Sequence, residues 1–236
     1  MTVSLTPGAP LPHVPRLVLA GRSVLVGPYN DAEEHERHVL STAGAGNWPD
    51  TADDEYRFDR KKDALVSALV HIPDAPTPEP PPWHTTPTTQ ATLTTTAPDP
   101  RQPASHYWLP PTATALACAY ELAPEQPPTR LRLAPAFSLL IAGDRLCGWL
   151  LEHPDRHVTT GWSHPSPSIP DNPFRTALTR YFHLTTPNAV AAMEDGDPTV
   201  LAQLAALRTA VPLTEGVRLR RAALHAAVEE LLDFYG

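Results

Sequence analysis

The chain has 236 residues, of which 30 are proline, and a formal net charge of -8 with only 19% charged residues. Its 11 glycines show no G-X-Y period, which excludes a collagen-like protein, and 42% hydrophobic residues are too many for a fully disordered chain. An acidic chain does not bind polyanions over its whole surface, so a nucleic-acid role would need a local basic patch.

Composition also sets expectations about the cell compartment. Cys118 and Cys147 are the only cysteines, which excludes a disulfide scaffold, and Lys61 and Lys62 are the only lysines. The latter bias is typical of a high-GC bacterial genome. Residues 1–15 lack the basic and apolar regions of a secretory signal, and no apolar run approaches the length of a membrane helix. We expect a reduced, cytoplasmic protein without a membrane partner.

The first predicted elements are a hairpin and a helix. Two short apolar runs, 16–20 and 23–27, flank a Gly-Arg pair and predict a β-hairpin. Either Asn30 or Asp31 is then expected to cap a helix that ends near Thr42, since two glutamates follow in its first turn.

The next segments have mixed signals. A polar, acidic loop is expected as far as about Asp59. Residues 60–72 combine helical spacing with strand-like alternation, so we expect a helix that runs into a strand. A wide apolar stripe over Thr112–Leu122 predicts a helix, which the prolines after it would end.

Proline concentrates in two places. Residues 1–15 predict an extended arm, and residues 73–111 contain 12 prolines and 9 threonines among 39 positions. The second segment is predicted to be a long loop or linker with polyproline II character that contributes no core element. Its aromatic residues, Trp83, Tyr107 and Trp108, suggest that parts of it lie on the folded domain.

The remaining sequence predicts an α+β fold. Two strands, 137–142 and 146–151, are expected around the turn Gly143-Asp144-Arg145. The C-terminal third predicts helices over 174–183, 187–194, 198–210 and 216–235, the last of which buries Val217, Leu224, Val228, Leu231 and Tyr235. We therefore expect one α+β domain over 16–236, with a mixed or antiparallel sheet core, interrupted at 73–111.

Histidines supply the candidate catalytic or metal-binding groups. His35 and His38 share a helix face, and His153 and His157 flank Asp155 at a similar spacing. A zinc site needs three or four ligands from converging segments, and neither pair matches H-E-x-x-H. We predict no metal or other cofactor, except that a hydrolase would use a divalent metal on His153, Asp155 and His157.

Arginines supply the candidate nucleic-acid contacts. Arg218, Arg220 and Arg221 open the last predicted helix, whereas acidic residues close it. This order opposes the preference of the helix dipole. An ordinary solvated helix face is the first interpretation, and a partner surface or a neighbouring antiparallel helix would also account for it. Arg145, in the turn between the two predicted strands, is a further candidate for phosphate contact.

One segment carries a family resemblance. It runs from Tyr107-Trp108-Leu109-Pro110-Pro111 through a predicted helix to the strand pair, with Cys147 in the second strand and His153-Pro154 after it. This order, over residues 107–154, resembles the palm core of bifunctional primase-polymerases of the archaeo-eukaryotic primase type. In that family, a strand with two metal-binding aspartates precedes the helix, and a later histidine holds the nucleotide.

The chain departs from that family at the catalytic positions. Pro110 and Pro111 stand where the paired aspartates are expected, and Cys147 stands in place of the histidine. Asp74, at the end of another possible strand, is an alternative single acid. Two-metal phosphoryl transfer needs carboxylates to hold the ions. The resemblance therefore implies a degenerate, non-catalytic domain, in which Arg145 still meets a phosphate.

Three functions remain open at this level, and the balance is against catalysis. The first is a non-catalytic primase-polymerase-like domain that binds DNA through a local basic patch in transactions of a mobile element or plasmid. The second is an acidic protein-interaction or accessory subunit with no nucleic-acid role. The third is a hydrolase with an unrecognised metal site.

Overall fold

A computed structural model describes residues 3–44, 53–95, 104–120, 122–165, 169–215 and 217–236. Within these ranges the protein is α+β, as the sequence predicts. The strands are β1 (Ser4–Thr6), β2 (Arg16–Val18), β3 (Ser23–Val26), β4 (Glu55–Phe58), β5 (Leu65–His71), β6 (Thr88–Thr89), β7 (Thr92–Thr94), β8 (His106–Trp108), β9 (Ala115–Ala119), β10 (Thr129–Ala134), β11 (Phe137–Ala142), β12 (Arg145–Glu152) and β13 (Val158–Thr159). The helices are α1 (Ala32–Ser41), α2 (Asn172–Leu184), α3 (Pro187–Glu194), α4 (Pro198–Ala210) and α5 (Arg218–Tyr235).

The larger sheet has the strand order β6-β10-β11-β12-β9-β8. Its neighbours are antiparallel, apart from the short parallel pair of β6 and β10. The β11–β12 hairpin confirms the two strands predicted around Gly143, whose φ of +62° is a conformation that glycine adopts without strain. The sheet is mixed, as expected.

The smaller sheet has the order β13-β2-β3-β5-β4, and its β2–β3 pair confirms the predicted first hairpin. Helix α1 follows, with Asp31 as its N-cap, because the Asp31 carboxylate accepts a hydrogen bond from the Glu34 N–H at 2.7 Å. This helix begins and ends where the sequence predicts. The arm before the hairpin is extended, and its β1 pairs with β7 in a separate two-stranded sheet.

Three local predictions are wrong. Residues predicted as the helix Thr112–Leu122 form β9, and the helical part expected in 60–72 is a turn that leads into β5. The expected acidic loop before Asp59 contains β4, although its residues 45–52 lie outside the described ranges. Strand β9 is buried on both faces, and such strands lose the alternation that separates a strand from a helix. Strand β4 does alternate, but its charged residues Glu55 and Arg57, which are typical of a loop, are buried in contacts with α1.

The Pro/Thr-rich segment contributes more than a loop, which corrects the prediction for 73–111. It supplies β6, β7 and β8, and the fully buried Trp83 sits in a 3-10 turn at Pro82–Thr85. The Trp83 indole packs on the outer face of the larger sheet, in a cluster with Ala117, Ala119, Leu140, Cys147 and Leu150. Gly148 makes room for it, since a Cβ there would lie 2.8 Å from a Trp83 ring carbon. Residues 96–103 lie outside the description.

The other core cluster joins both sheets to the C-terminal helices. It includes Leu17 and Val70 from the smaller sheet, Phe137 and Trp149 from the larger one, and Leu224 of α5. Helices α2 to α5 confirm the predicted helical C-terminal third, and the predicted buried face of α5 is correct at Val217, Leu224 and Val228. No helix in the described ranges is long and apolar enough to cross a bilayer.

Candidate functional site

Helix α1 lies on the smaller sheet through polar contacts, since none of its side chains is buried. His35 Nε2 is 3.0 Å from Glu55 Oε1 on β4, and His38 Nε2 is 2.8 Å from Ser67 Oγ on β5. The two histidines flagged in the sequence therefore meet different partners, and both partners are buried in the sheet.

Aromatic and cationic groups surround these two contacts. The His35 ring lies between the Tyr29 and Trp162 rings, with centroid distances of 4.7 and 5.0 Å. Burial lowers the pKa of His38, and the nearby Arg57 guanidinium lowers it further. His38 is thus held neutral near pH 7, and its Nε2 either donates to the Ser67 hydroxyl oxygen or accepts from the hydroxyl, according to the tautomer.

This cluster contains a serine, histidines and a carboxylate, as hydrolase sites do, but its serine hydroxyl is closed off from solvent. A serine nucleophile needs an exposed hydroxyl and a base that is oriented by a third group. Ser67 is 0% exposed, and Glu55 contacts His35 rather than His38. The arrangement therefore fixes α1 on the sheet.

The candidate metal ligands after β12 do not converge. His157 Nδ1 donates to the Pro15 carbonyl at 3.2 Å, and Asp155 Oδ2 is 3.4 Å from Arg175. His153 has a left-handed φ of +49°, and its Nδ1 is buried without a hydrogen-bond partner. Within the described ranges, no three or more His, Cys, Asp or Glu side chains form a group that could hold a metal ion.

Two of the candidate DNA-binding arginines are buried in an ion-pair cluster. Arg221 binds the Asp171 carboxylate through Nε and Nη2, both at 2.9 Å, and Arg220 Nη2 is 3.5 Å from Asp171. Asp171 also caps α2, because it accepts a hydrogen bond from the Phe174 N–H at 3.1 Å. Arg220 and Arg221 therefore hold α5 to the start of α2 and present no basic surface, whereas Arg218 is exposed.

The residues on which the family resemblance depends lie in separate parts of the structure. Arg145 is exposed at the β11–β12 turn, and Asp74 is exposed with an ion pair to Arg22 at 3.3 Å. Cys147 is buried beside the Leu140 carbonyl, at 3.2 Å from its Sγ.

A buried acid links the two larger sheets. Asp54 accepts a hydrogen bond from the His71 N–H at 2.6 Å and another from the Tyr120 hydroxyl. The Tyr120 hydroxyl also lies 2.8 Å from that of Tyr56 on β4. Burial raises the pKa of Asp54, and the hydrogen bonds from His71 and Tyr120 oppose that shift. We assign this network a structural role, since its groups satisfy one another.

The outer side of α5 exposes two large apolar side chains at opposite ends of the helix. Leu219 is 64% exposed and Phe234 is 79% exposed, the latter in an edge contact with Tyr235. Each helical residue advances about 100°, so Leu219, Ala226, Glu230 and Phe234 lie along one flank. Glu229 lies on the other flank, where it pairs with Arg208 of α4 at 2.7 Å. We call the flank defined by these four residues the α5 flank.

Sequence reasoning missed this flank and the partners of the histidines. The helical spacing that identified the buried face of α5 also leaves Leu219 and Phe234 outside it, so a signal was present. Glu55 and Ser67 gave no local signal, because their contacts depend on sheet register far from α1. Asp171 did have a local signal in the sequence, since an aspartate two positions before a proline is typical of a helix N-cap.

Comparisons with protein-family models, with curated proteins and with solved structures found no match.

Proposed function

We propose that this chain is an accessory domain that acts by binding another protein chain through the α5 flank. The exposure of Leu219 and Phe234 on one side of an otherwise well-packed helix carries the proposal. The two side chains lie about 22 Å apart along the helix, with the exposed Ala226 between them, so a partner helix that lies along this side would contact all three.

The charge around the flank supports a protein partner. Arg218 lies beside its start, about 100° around the helix from Leu219, and Glu230 and Asp233 lie near its end; all three are exposed. Charged residues at the rim of an apolar strip select the partner and its orientation more than they add affinity. The net charge of -8 also favours a protein over a polyanion as the partner.

The test compares partner capture by three forms of the full chain. The double variant Leu219→Ser/Phe234→Ser should lose the proteins that the unmodified chain retains from an extract of its source cell. The control is Leu40→Ser, because Leu40 is 70% exposed on α1, away from the flank. Each captured protein is then purified and its dissociation constant measured. Equal affinity for the unmodified chain and the double variant contradicts the proposal.

The nucleic-acid hypothesis retains one observation, the exposed Arg145 in the β11–β12 turn. Its test is fluorescence anisotropy with single- and double-stranded DNA at low salt. Phosphate contacts produce a steep salt dependence, which Arg145→Ala should reduce. No salt-sensitive binding at micromolar protein would end this second proposal.

A further inference from the structure

We infer that the partner of the α5 flank is a second copy of this chain, which binds antiparallel with a two-fold axis at Ala226. This inference rests on the proposed function and names its partner. It starts from charged side chains on α5 that form no ion pair with another side chain of the described ranges.

The helix has the reverse of the usual polarity, with arginines at its positive N-terminal end and acids at its negative C-terminal end. Asp171 forms ion pairs with Arg220 and Arg221, and Arg208 forms one with Glu229, so these charges are neutralised within the chain. Arg218, Glu230 and Asp233 remain, and no other side chain in the described ranges forms an ion pair with any of them. An antiparallel second helix would place the acidic end of each copy beside the basic end of the other.

The apolar side chains fit the same arrangement. Ala226 is exposed near the middle of the flank, and so small a side chain permits close approach of two helices. With the axis there, Leu219 lies seven residues before it and Asp233 seven after it. Leu219 of one copy then packs between Glu230 and Phe234 of the second copy. Arg218 lies within one turn of Asp233 of the second copy, and each contact occurs twice.

A two-fold axis also explains why one flank carries an exposed apolar side chain at each end, Leu219 and Phe234. An isologous interface uses the same patch on both copies, so the patch must be complementary to itself. The α5 flank, together with Arg218 beside its start and Asp233 near its end, meets this condition in charge and in apolar content.

Sedimentation velocity on the full chain tests self-association from about 1 to about 500 µM, since an interface of one helix and its neighbours is expected to be weak. The mass should rise from 25.7 kDa toward twice that value. Leu219→Ser and Phe234→Ser should each raise the dissociation constant about tenfold or more. Leu40→Ser, the matched exposed leucine, should leave it unchanged.

Charge reversal and cross-linking test the antiparallel arrangement. Arg218→Asp and Asp233→Arg should each weaken the dimer, and the double variant should recover much of the loss. Chains with Arg218→Cys and chains with Phe234→Cys, mixed at a concentration above their raised dissociation constant, should cross-link through a bismaleimide, whereas neither variant alone should. The native cysteines are buried and do not interfere.

The results separate this inference from the proposed function. A chain that stays monomeric throughout, or a dimer that is unaffected by the flank variants, overturns the inference. If the monomeric chain still binds a different protein and loses it in Leu219→Ser/Phe234→Ser, the proposed function stands without the dimer. If the flank variants alter no interaction, both fail.

Discussion

Replacing Asp171 should be among the most destabilising single changes in this protein. Its carboxylate is 5% exposed and accepts both guanidinium bonds of Arg221 at 2.9 Å, with Arg220 at 3.5 Å. Removing one member of a buried ion pair costs about 3–5 kcal/mol, because the remaining charge is left unpaired. Asp171→Ala also removes the N-cap of α2, which adds about 1 kcal/mol. The free energy of unfolding should therefore fall by about 4–6 kcal/mol, a large part of a typical total.

Urea unfolding followed by circular dichroism measures this loss, and a second cap provides the control. Asp197 caps α4 by accepting a hydrogen bond from the Thr199 N–H at 2.7 Å, without an arginine partner. Asp197→Ala should cost only about 1 kcal/mol. The difference between the two variants therefore isolates the ion pairs. If Asp171→Ala loses no more stability than Asp197→Ala, the described cluster is not present in solution.

The same cluster has a defined acid dependence. Burial alone would raise the pKa of Asp171, but hydrogen bonds from Arg221 and the Phe174 N–H, together with the arginine charges, lower it below its ordinary value. A lowered folded-state pKa gives stability that is complete above the unfolded pKa of about 4 and is lost as the pH falls through the folded value. The stability difference between the unmodified chain and Asp171→Asn should shrink over that interval. A constant difference would contradict the argument.

Three further changes test other parts of the fold by urea unfolding. Trp83→Ala should lower the free energy of unfolding by about 3–5 kcal/mol, and a negligible loss would show that the Pro/Thr-rich segment does not pack on the sheet. Gly148→Ala should destabilise the Trp83→Ala variant less than the unmodified chain, because the new methyl group then clashes only with the Cys118 carbonyl and no longer with the indole. Because the pKa of His38 is lowered, the unmodified chain should lose stability as the pH falls through about 6.5, and His38→Gln should lose less; equal pH profiles would exclude this contribution. Tyr120→Phe removes a hydrogen bond to buried Asp54 and should cost about 1–3 kcal/mol, whereas no change would mean that the two sheets do not depend on this contact.

The elements that the sequence predicts correctly are those with a strong local pattern. The β11–β12 hairpin has a glycine turn between two apolar runs, and α1 has an aspartate cap with acids in its first turn. Helices α2, α3 and α4 each have a proline in the first turn, and α5 has buried apolar residues at helical spacing. In each of these, the local preference and the tertiary packing favour the same structure.

The elements that the sequence predicts wrongly are those that packing determines. Strand β9 consists largely of small apolar residues between β12 and β8, so it has no polar face to reveal a period of two. Trp83 belongs to a segment whose composition indicates a loop, yet one indole in the recess over Gly148 gives that segment a core contact. Composition describes the average of a segment, whereas a single large side chain can anchor it.

The charge pattern of α5 shows how far a sequence pattern can lead toward a site. The sequence identifies a helix whose charges oppose its dipole, but it cannot tell which charges are neutralised inside the fold. Asp171 is distant in sequence from Arg220 and Arg221, and its contacts with them follow from the packing of α2 against α5. Once these internal pairs are subtracted, the exposed charges that remain sit at opposite ends of the flank that carries Leu219 and Phe234. That coincidence of unpaired charge and exposed apolar surface on one flank is why a second copy of the chain is the partner we propose.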